Sequence, residues 1–380
     1  MTRLNCIRSL LTIAALVAAL SLTTGASHAQ SQGQAELQAL IEQAKKEPNV
    51  INGRVTLALI PLVEKANRLF NEKFGLNKTF NIAKGVDNTF ISQMIAALDI
   101  GGKPELSFYA TNGGDMPMFV SGKYAEHVKD WELILAEINP RVKSGAVKPN
   151  DVSPRGYAGY AFAHSNRLKG VGYNTGTPLK DLPQTYAEIA DPKHKGHYAI
   201  EPWTSHWEAL GYNYYPDRLD QFADLMNNIG KNSYVVSRSH QLVPRMTLGE
   251  IKFMTLNAEV VAEFNDKNPG APLDYYFMND MTLLETTVVF LPRKGPSPAT
   301  ATLWAMYLSH PDIQALRPAD APNVMYGEQS SDRKMEEKLK GKNVWTWEKD
   351  ESTTKYWQWI NAKETEDFRN NILKAIKQQR

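Results

Sequence analysis

The first part of the chain alternates short apolar runs with amphipathic stretches, and this alternation limits the possible folds more than any other feature. Residues 55–60, 79–82 and 106–110 are short apolar runs, which is typical of buried strands. Between them, at 61–74 and 88–98, apolar residues recur at helical spacing. Strand, helix, strand, helix and strand with short connections predict a parallel α/β sheet.

The middle of the chain repeats the same pattern. Strands are predicted at 197–200, 233–236 and 251–256, and an extended stretch follows at 286–291. A chain of 380 residues with two such regions is expected to form two domains. In open α/β sheets, ligands bind outside the carboxyl ends of the strands, so the loops after these strands are the candidate ligand loops.

The N-terminal segment predicts an export signal. Arg3 and Arg8 precede an apolar run at 10–22, which is shorter than the roughly 20 residues that span a bilayer. A small residue at position 27 and Ala29 match a cleavage site. We expect residues 1–29 to be removed and the mature protein to be periplasmic.

Cysteine content and charge exclude several classes of protein. The single cysteine, Cys6, lies in the predicted signal, so we expect no disulfide, thiolate metal site or cysteine nucleophile in the mature chain. The 43 Lys and Arg residues nearly balance the 41 Asp and Glu residues, which gives no strong field toward nucleic acid. No GxSxG, HExxH or P-loop motif is present, so we expect neither an enzyme nor a cofactor. His194 and His197 are interpreted as part of a solvated basic turn.

Several motifs, in order along the chain, resemble one family. The segments VGYNT, LPQTYAEI and DPKHKG, at 171–175, 182–189 and 191–196, resemble the pattern "YNT … LP.TW.DL.DPK.KG" of the extracellular solute-binding proteins of ABC importers. The opening KKE at 45–47 and the closing segments near 294–298 and 308–314 are similar to further motifs of that family. The resemblance is to the type II periplasmic binding proteins, in the branch with binders of ferric iron, thiamine, polyamines and phosphonates.

The resemblance implies an α/β fold of two lobes that are joined by two crossing hinge strands and close on a ligand. Lobe 1 would comprise residues 30–160 and 283–330, and lobe 2 residues 161–282 and 331–380. The partners it implies are a small-molecule solute and the membrane permease of an importer, with no nucleic acid, and we expect a monomer. A sensor or adaptor subunit of the same fold, bound to a membrane kinase, is the alternative partner class.

The candidate ligand-binding residues follow predicted strands. The stretch 203–207 opens a helix, whose N–H groups suit a carboxylate or phosphonate, although the same residues could cap the helix and fill the core. Arginines could clamp an anion or stay solvated, and the paired tyrosines could pack on a solute or in the core. The full set is Thr111, Asn112, Trp203, Thr204, Ser205, His206, Trp207, Arg238, Arg245, Asn257, Tyr275 and Tyr276.

The sequence leaves the charge and chemical class of the solute open. An organic anion, a carboxylate or phosphonate, is the first prediction. A polyamine or other cationic organic solute is the alternative, with carboxylates drawn from Asp115, Glu201, Glu259 and Asp280. Ferric iron is a lesser alternative. The resemblance implies an iron-binding tyrosine pair directly after residues 249–257, and no tyrosine stands at that position. A neutral solute is also left open.

Overall fold

The computed structural model describes residues 32–55, 60–84, 88–201, 205–236, 239–316 and 330–346, together with single positions between 355 and 374. The predicted signal peptide lies outside the described residues.

Most of the strands lie close to the predicted positions, but the first strand is displaced, and β8 and β10 were not predicted. In order they are β1 (Val50–Val55), β2 (Thr79–Lys84), β3 (Phe108–Asn112), β4 (Ala161–Asn174), β5 (Tyr198–Ile200), β6 (Ser233–Val236), β7 (Phe253–Asn257), β8 (Leu273–Tyr276), β9 (Thr282–Phe290) and β10 (Val344–Thr346).

The helices fill the intervals between these strands. They are α1 (residues 32–46), α2 (Ile60–Phe74), α3 (Asn88–Asp99), α4 (Met116–Ser121), α5 (Trp131–Ile138), α6 (Pro140–Lys143), α7 (Pro149–Val152), α8 (Tyr186–Ile189), α9 (Ser205–Tyr214), α10 (Leu219–Asn232), α11 (Ser239–Thr247), α12 (Ala258–Lys267), α13 (Pro298–Tyr307), α14 (Pro311–Gln314) and α15 (Ser330–Leu339).

The first strand was predicted too far along the chain. The apolar run at 55–60 predicted a strand, but β1 is Val50–Val55 and α2 already begins at Ile60. Parallel pairing of β1 with β2 over its whole length, and with β3 at Gly53 and Arg54, selects the earlier segment. Strand β10 was not predicted either, because its three residues depend on parallel pairing with the start of β9.

Two sheet regions share one long strand. The strand order is β2-β1-β3-β9-β4 on one side and β4-β7-β5-β6 on the other. Within the 14 residues of β4, Ala161–Leu168 pairs with β9, whereas Lys169–Asn174 pairs with β7 or β8. A register shift between Ala163 and Ser165 marks the place where the strand begins to leave the first region.

The buried apolar residues fall into two groups that meet at the same strands. Phe162, Val288 and Val289 belong to the core around the first sheet region, together with α2, α5 and α13. Leu168 and Leu283 belong to the core around the second region, together with α9, α10, α11 and α12. Each region therefore has its own apolar core, and within the described residues β4 and β9 pass from one core to the other.

Glu47, just after α1, links the N-terminal helix to α13 of the first region. Its carboxylate accepts hydrogen bonds from the backbone N–H groups of Ala299 and Thr300, both at 2.8 Å, and from the Thr300 hydroxyl at 2.6 Å. These N–H groups lie in the first turn of α13, where a negative charge is favourable, and Ser297 provides no side-chain cap there.

We expect Glu47→Ala to lower the free energy of unfolding by about 2 kcal/mol, because it leaves helix N–H groups without their charged acceptor. Urea unfolding followed by circular dichroism measures the change. Glu42→Ala, an exposed position on α1 beside Lys45, is the matched control and should change little. Equal losses in both variants would contradict the capping role of Glu47.

Candidate functional site

Buried polar side chains concentrate where the carboxyl ends of strands from both regions approach the crossing strands. The set comprises Thr111, His164, Ser165, Lys169, Glu201, His206, Glu208, Glu285, Thr286 and Thr287. Burying so many polar groups is costly unless they are paired or serve a ligand, so this is the candidate site.

The loop after β3 contributes Thr111, Asn112 and an acidic residue next to them. The fully buried Thr111 hydroxyl donates a hydrogen bond to the Asp115 carboxylate, and the backbone N–H of Asn112 also donates to it. Asn112 itself is half-buried, and its side chain does not cap the short 3-10 turn that follows. The two predicted residues thus hold Asp115 in place at the carboxyl end of β3.

The Asp115 carboxyl has a raised pKa. Burial is the largest cause, and the nearby carboxylates of Glu285 and Glu208 raise the pKa further, whereas the hydrogen bonds from Thr111 and Asn112 lower it. Glu285 lies on β9 and Glu208 on α9, so acidic side chains from two other elements act electrostatically on Asp115.

The stretch at the start of α9 is only partly described. Trp203 and Thr204 lie outside the described residues, as does Arg238, and Ser205 is the first residue of α9. Trp207 is fully buried in the second core, with its ring centroid 5.4 Å from that of Tyr186. Trp207 therefore lies in the core, which was the structural alternative for this residue.

His206 is the most unusual of the predicted residues. It is 2 % exposed, and neither ring nitrogen has a hydrogen-bond partner in the described part of the chain. Burial lowers its pKa well below the ordinary value, and the nearby charge of Lys169 lowers it further. The imidazole is consequently neutral at physiological pH.

Asn257 lies in a small mixed-charge group at the start of α12. Its cross-strand neighbour is Lys169 of β4, and its own Oδ1 is buried without a partner among the described residues. Glu259, in the first turn of α12, lies 3.7 Å from Arg167. Burial raises the pKa of Glu259 to about 7, although Arg167 and Lys169 oppose the shift.

Arg245, a predicted ligand-binding residue, lies away from the candidate site. Arg245 lies in the last turn of α11, its guanidinium 2.8 Å from Glu250 and 5.1 Å from the Tyr234 ring centroid. Helix α11 begins beside the carboxyl end of β6 and is about 13 Å long, so its last turn is remote from that edge.

The tyrosine pair is engaged in packing. The Tyr276 hydroxyl donates to the Pro183 carbonyl at 2.6 Å, and the Lys338 ammonium lies 4.0 Å from the Tyr275 ring centroid. Two of the acidic candidates also have structural partners. Glu201 accepts from the backbone N–H of Ser239, and Asp280 accepts from that of Tyr186.

Sequence reasoning missed Lys169, Glu208 and Glu285. Glu285 had a usable signal, because it is the one charged residue in the otherwise apolar or hydroxyl-bearing strand TLLETTVVF. Lys169 had a similar signal, because it is a charged residue that follows the apolar Leu168 within a long strand. Glu208 had no local signal, since an acidic residue in the first turn of a helix is common.

Two kinds of feature are absent from the described residues. They contain no group of three or more His, Cys, Asp or Glu side chains arranged to hold a metal ion. None of the helices in the described segments is both long and apolar enough to cross a membrane.

Comparison with known proteins identifies the fold. The chain resembles iron-bound HitA from Pseudomonas aeruginosa at 14 % identity and a TM-score of 0.65, covering 86 % of this chain and 99 % of that one. It resembles a ferric binding protein from Campylobacter jejuni at 13 % identity and a TM-score of 0.65, with 85 % and 99 % covered. A putative spermidine/putrescine ABC transporter protein from Listeria monocytogenes matches at 14 % identity and a TM-score of 0.61, with 88 % and 100 % covered.

No family model and no curated protein sequence matches the chain. The structural matches nevertheless confirm the predicted fold class: the chain has the two-lobed α/β fold of type II periplasmic binding proteins. Within this chain, each sheet region has its own core, and β4 and β9 contribute to both.

We expect His206 to make the folded protein less stable as the pH falls. The unfolded chain protonates a histidine near pH 6.5, whereas the buried ring stays neutral, so the unfolded state gains the proton and stability is lost. Relative to His206→Gln, the native protein should lose up to about 2 kcal/mol between pH 7 and pH 5. Urea unfolding at each pH measures this difference, with His240→Gln, at an exposed position on α11, as the control.

Proposed function

We propose that this protein is the periplasmic solute-binding component of an ABC-type importer. It captures a small charged organic solute between its two lobes and delivers it to a membrane permease, without chemical conversion of the solute. The main support is the concentration of buried polar side chains from both lobes around the crossing strands.

The way the lobes are joined supports closure as the binding mechanism. Between the two cores, the described chain passes through 164–167 of β4 and 285–287 of β9, and residues 317–329, between Leu316 at the first core and Met335 in the second, lie outside the described residues. Small dihedral changes in these short segments would rotate one lobe against the other without disturbing either core. A solute that contacts both lobes stabilises the closed form by its differential affinity for that form.

The names of the matched proteins are consistent with this role. One is iron-bound, one is called a ferric binding protein, and one is called a spermidine/putrescine transporter protein. The shared fold is used for solute capture in each case, although the solutes differ greatly in chemistry. The solute of this chain therefore has to be inferred from its own side chains.

The buried charges favour a cationic organic solute over the organic anion that was the first prediction. The proposed anion contacts depended on Trp203, Thr204 and Arg238, which lie outside the described residues, on Ser205 at the start of α9, and on Arg245, which is paired with Glu250. In contrast, the carboxylates of Glu285 and Glu208 act on Asp115 strongly enough to raise its pKa, which supports a preference for positive charge there.

Capture of an organic anion is the second candidate function. It is favoured by Lys169, which is 5 % exposed and lies opposite Asn257 at the first turn of α12. An anion there would meet an ammonium and helix N–H groups together. Ferric iron is less favoured, because Tyr275 and Tyr276 are engaged in packing and the described residues contain no metal-ligand group.

We propose lobe boundaries a few residues from those predicted. Residues 161–163 pack in the first core, and residues 283–284 pack against the second, so each crossing falls slightly later in the chain than predicted. Lobe 1 would then extend from 30 to about 163 and from about 288 to 330, with the remainder of the mature chain in lobe 2. Met335 of α15 packs in the second core, in agreement with this division.

We expect a true solute to raise the melting temperature and to compact the protein. The purified mature chain is screened by thermal shift against putrescine, spermidine, succinate, phenylphosphonate and ferric citrate. A ligand at 100 times its Kd adds about 2.7 kcal/mol to the folded state. Small-angle X-ray scattering on any compound that raises the melting temperature should show a smaller radius of gyration.

Compounds at equal ionic strength that do not raise the melting temperature provide the control for salt effects. A compound that raises the melting temperature without compaction would indicate a site outside the cleft. Absence of compaction with every bound compound would contradict capture by lobe closure.

A further inference from the structure

We infer that a cavity at the outer edge of the second sheet region, away from the candidate functional site, binds a small anion with two or more negative charges. The cavity has a volume of about 270 Å³. This inference goes beyond the proposed function and does not depend on it. The polar lining of the cavity comes from Thr177, Asp181, Lys193, His194, His197 and Lys252.

The cavity and the candidate functional site lie at opposite edges of the second region. Strands β5 and β7 are parallel, and the cavity is lined by the residues just before them, His197 and Lys252. The candidate site includes Lys169, which pairs with Asn257 at the carboxyl end of β7. Since a strand rises about 3.3 Å per residue, Lys252 and Asn257 are about 17 Å apart along the chain. The two sites are therefore separate.

Backbone hydrogen bonds hold three chain segments around the cavity. The N–H of Lys252 donates to the carbonyl of His197 at 3.0 Å, and the N–H of Asn174 donates to the carbonyl of Lys252 at 2.9 Å. The N–H of His197 donates in turn to the carbonyl of His194 at 3.0 Å. The turn at 192–197, the start of β7 and the end of β4 are thus tied together, and the walls of the cavity are already formed without a ligand.

His194 provides the strongest indication of a ligand. The sequence placed it in a solvated basic turn, and this is corrected by the structure: Lys193 and Lys195 are exposed, but His194 is only 5 % exposed. Its ring packs against that of Phe253 with the centroids 5.1 Å apart, and its Nε2 has no hydrogen-bond partner in the described part of the chain. A buried polar atom without a partner costs free energy, which a ligand in the cavity that His194 lines would offset.

The charged side chains around the cavity are mainly positive. Lys193 and Lys252 contribute two ammonium groups, whereas Asp181 contributes one carboxylate, and all three residues are exposed. Lys193 also lies 3.4 Å from Asp191. An exposed ion pair of this kind is worth little free energy, so the ammonium can turn to a ligand. An anion with two charges would then meet both ammonium groups together.

The nearest carboxylates outside the cavity have backbone partners. Asp191 accepts a hydrogen bond from the N–H of Lys193 at 3.0 Å, and Glu188 accepts one from another backbone N–H at 2.8 Å. Burial is the main cause of the lowered pKa of His194. Lys193 and His197 lower that pKa further, and Asp191 and Glu188 oppose the shift. An anion in the cavity would act in the same direction as these two carboxylates.

The size and the donors of the cavity suit a compact anion. Two histidines and a carboxylate line it, yet no three such side chains in the described segments are arranged to hold a metal ion. Its volume lies just below the range of about 300–1,000 Å³ that is typical of ligand cavities, which favours a small ion over a large cofactor. Ammonium, imidazole and hydroxyl donors match the oxygens of a phosphate, a sulfate or a dicarboxylate.

We expect inorganic phosphate, sulfate or succinate to bind the mature protein saturably, and Lys193→Gln and Lys252→Gln each to weaken the binding about 10-fold. Each variant removes one charge-assisted hydrogen bond. Isothermal titration calorimetry measures the Kd, and urea unfolding verifies that each variant is folded. Tighter binding of phosphate and sulfate would assign a tetrahedral oxyanion to the cavity, and tighter binding of succinate a dicarboxylate.

Lys195→Gln is the matched control. It removes an exposed ammonium from the same turn, at a position that does not line the cavity, and it should leave the Kd within twofold of the native value.

We expect bound sulfate to raise the pKa of His194, because an anion stabilises the imidazolium form. Sulfate binding should therefore tighten as the pH falls. Sulfate is the probe because its own charge stays constant over the pH range in which histidine titrates. Nuclear magnetic resonance of ¹⁵N-labelled histidine rings, with and without sulfate, measures the pKa. Lys193, His197, Asp191 and Glu188 act on the ring in both titrations, so the difference between them reports on the anion.

The radius of gyration separates this cavity from the cleft. The lining residues all belong to the second region, so the anion should bind without compaction in small-angle X-ray scattering. Three results would overturn the inference: no saturable binding of any of the three anions, binding that Lys193→Gln and Lys252→Gln leave within twofold of the native Kd, or an equal loss in Lys195→Gln. Binding accompanied by compaction would also overturn it, because the anion would then lie in the cleft, and the proposed function would stand.

Discussion

The pairing of β4 with two different sets of strands is the constraint on which the rest of the structure depends. Its first half pairs with β9 and its second half with β7 and β8, so one continuous strand belongs to both sheet regions. Each half is held by a ladder of backbone hydrogen bonds within its own region. Within the described residues, β4 and β9 therefore carry the backbone connections between the two cores.

The apolar cores on either side of the candidate site offset the free-energy cost of burying its polar groups. Aromatic packing around Trp304 in lobe 1 and around Trp207 in lobe 2 supplies apolar burial that contributes nothing to binding. Asp115 and His206 lie at the edges of these cores, where desolvation disfavours their charged forms. A solute with complementary charge would recover part of that cost when the cleft closes.

Much of the fold could be predicted because its signals are local. The helical spacing around Phe70 and Phe74 and the short apolar strands of both halves predicted two parallel α/β regions, which the structure confirms in outline. The prediction of a strand at 55–60 was wrong because an apolar run alone does not determine which residues pair with the neighbouring strands. Only the alignment of Val50–Val55 with β2 and β3 selects the correct segment.

The amino-acid sequence by itself determined the order of strands and helices, the polar loop at Thr111 and Asn112 and the position of Asn257 at a strand end. These features depend on hydrophobic periodicity and on turn residues, which act over a few positions. Only the tertiary structure decided that Glu208 and Glu285 act on Asp115 and that Arg245 pairs with Glu250 instead. The reason is physical: these side chains are separated by up to 170 residues of chain, and their burial and mutual repulsion arise only when the two lobes pack around β4 and β9.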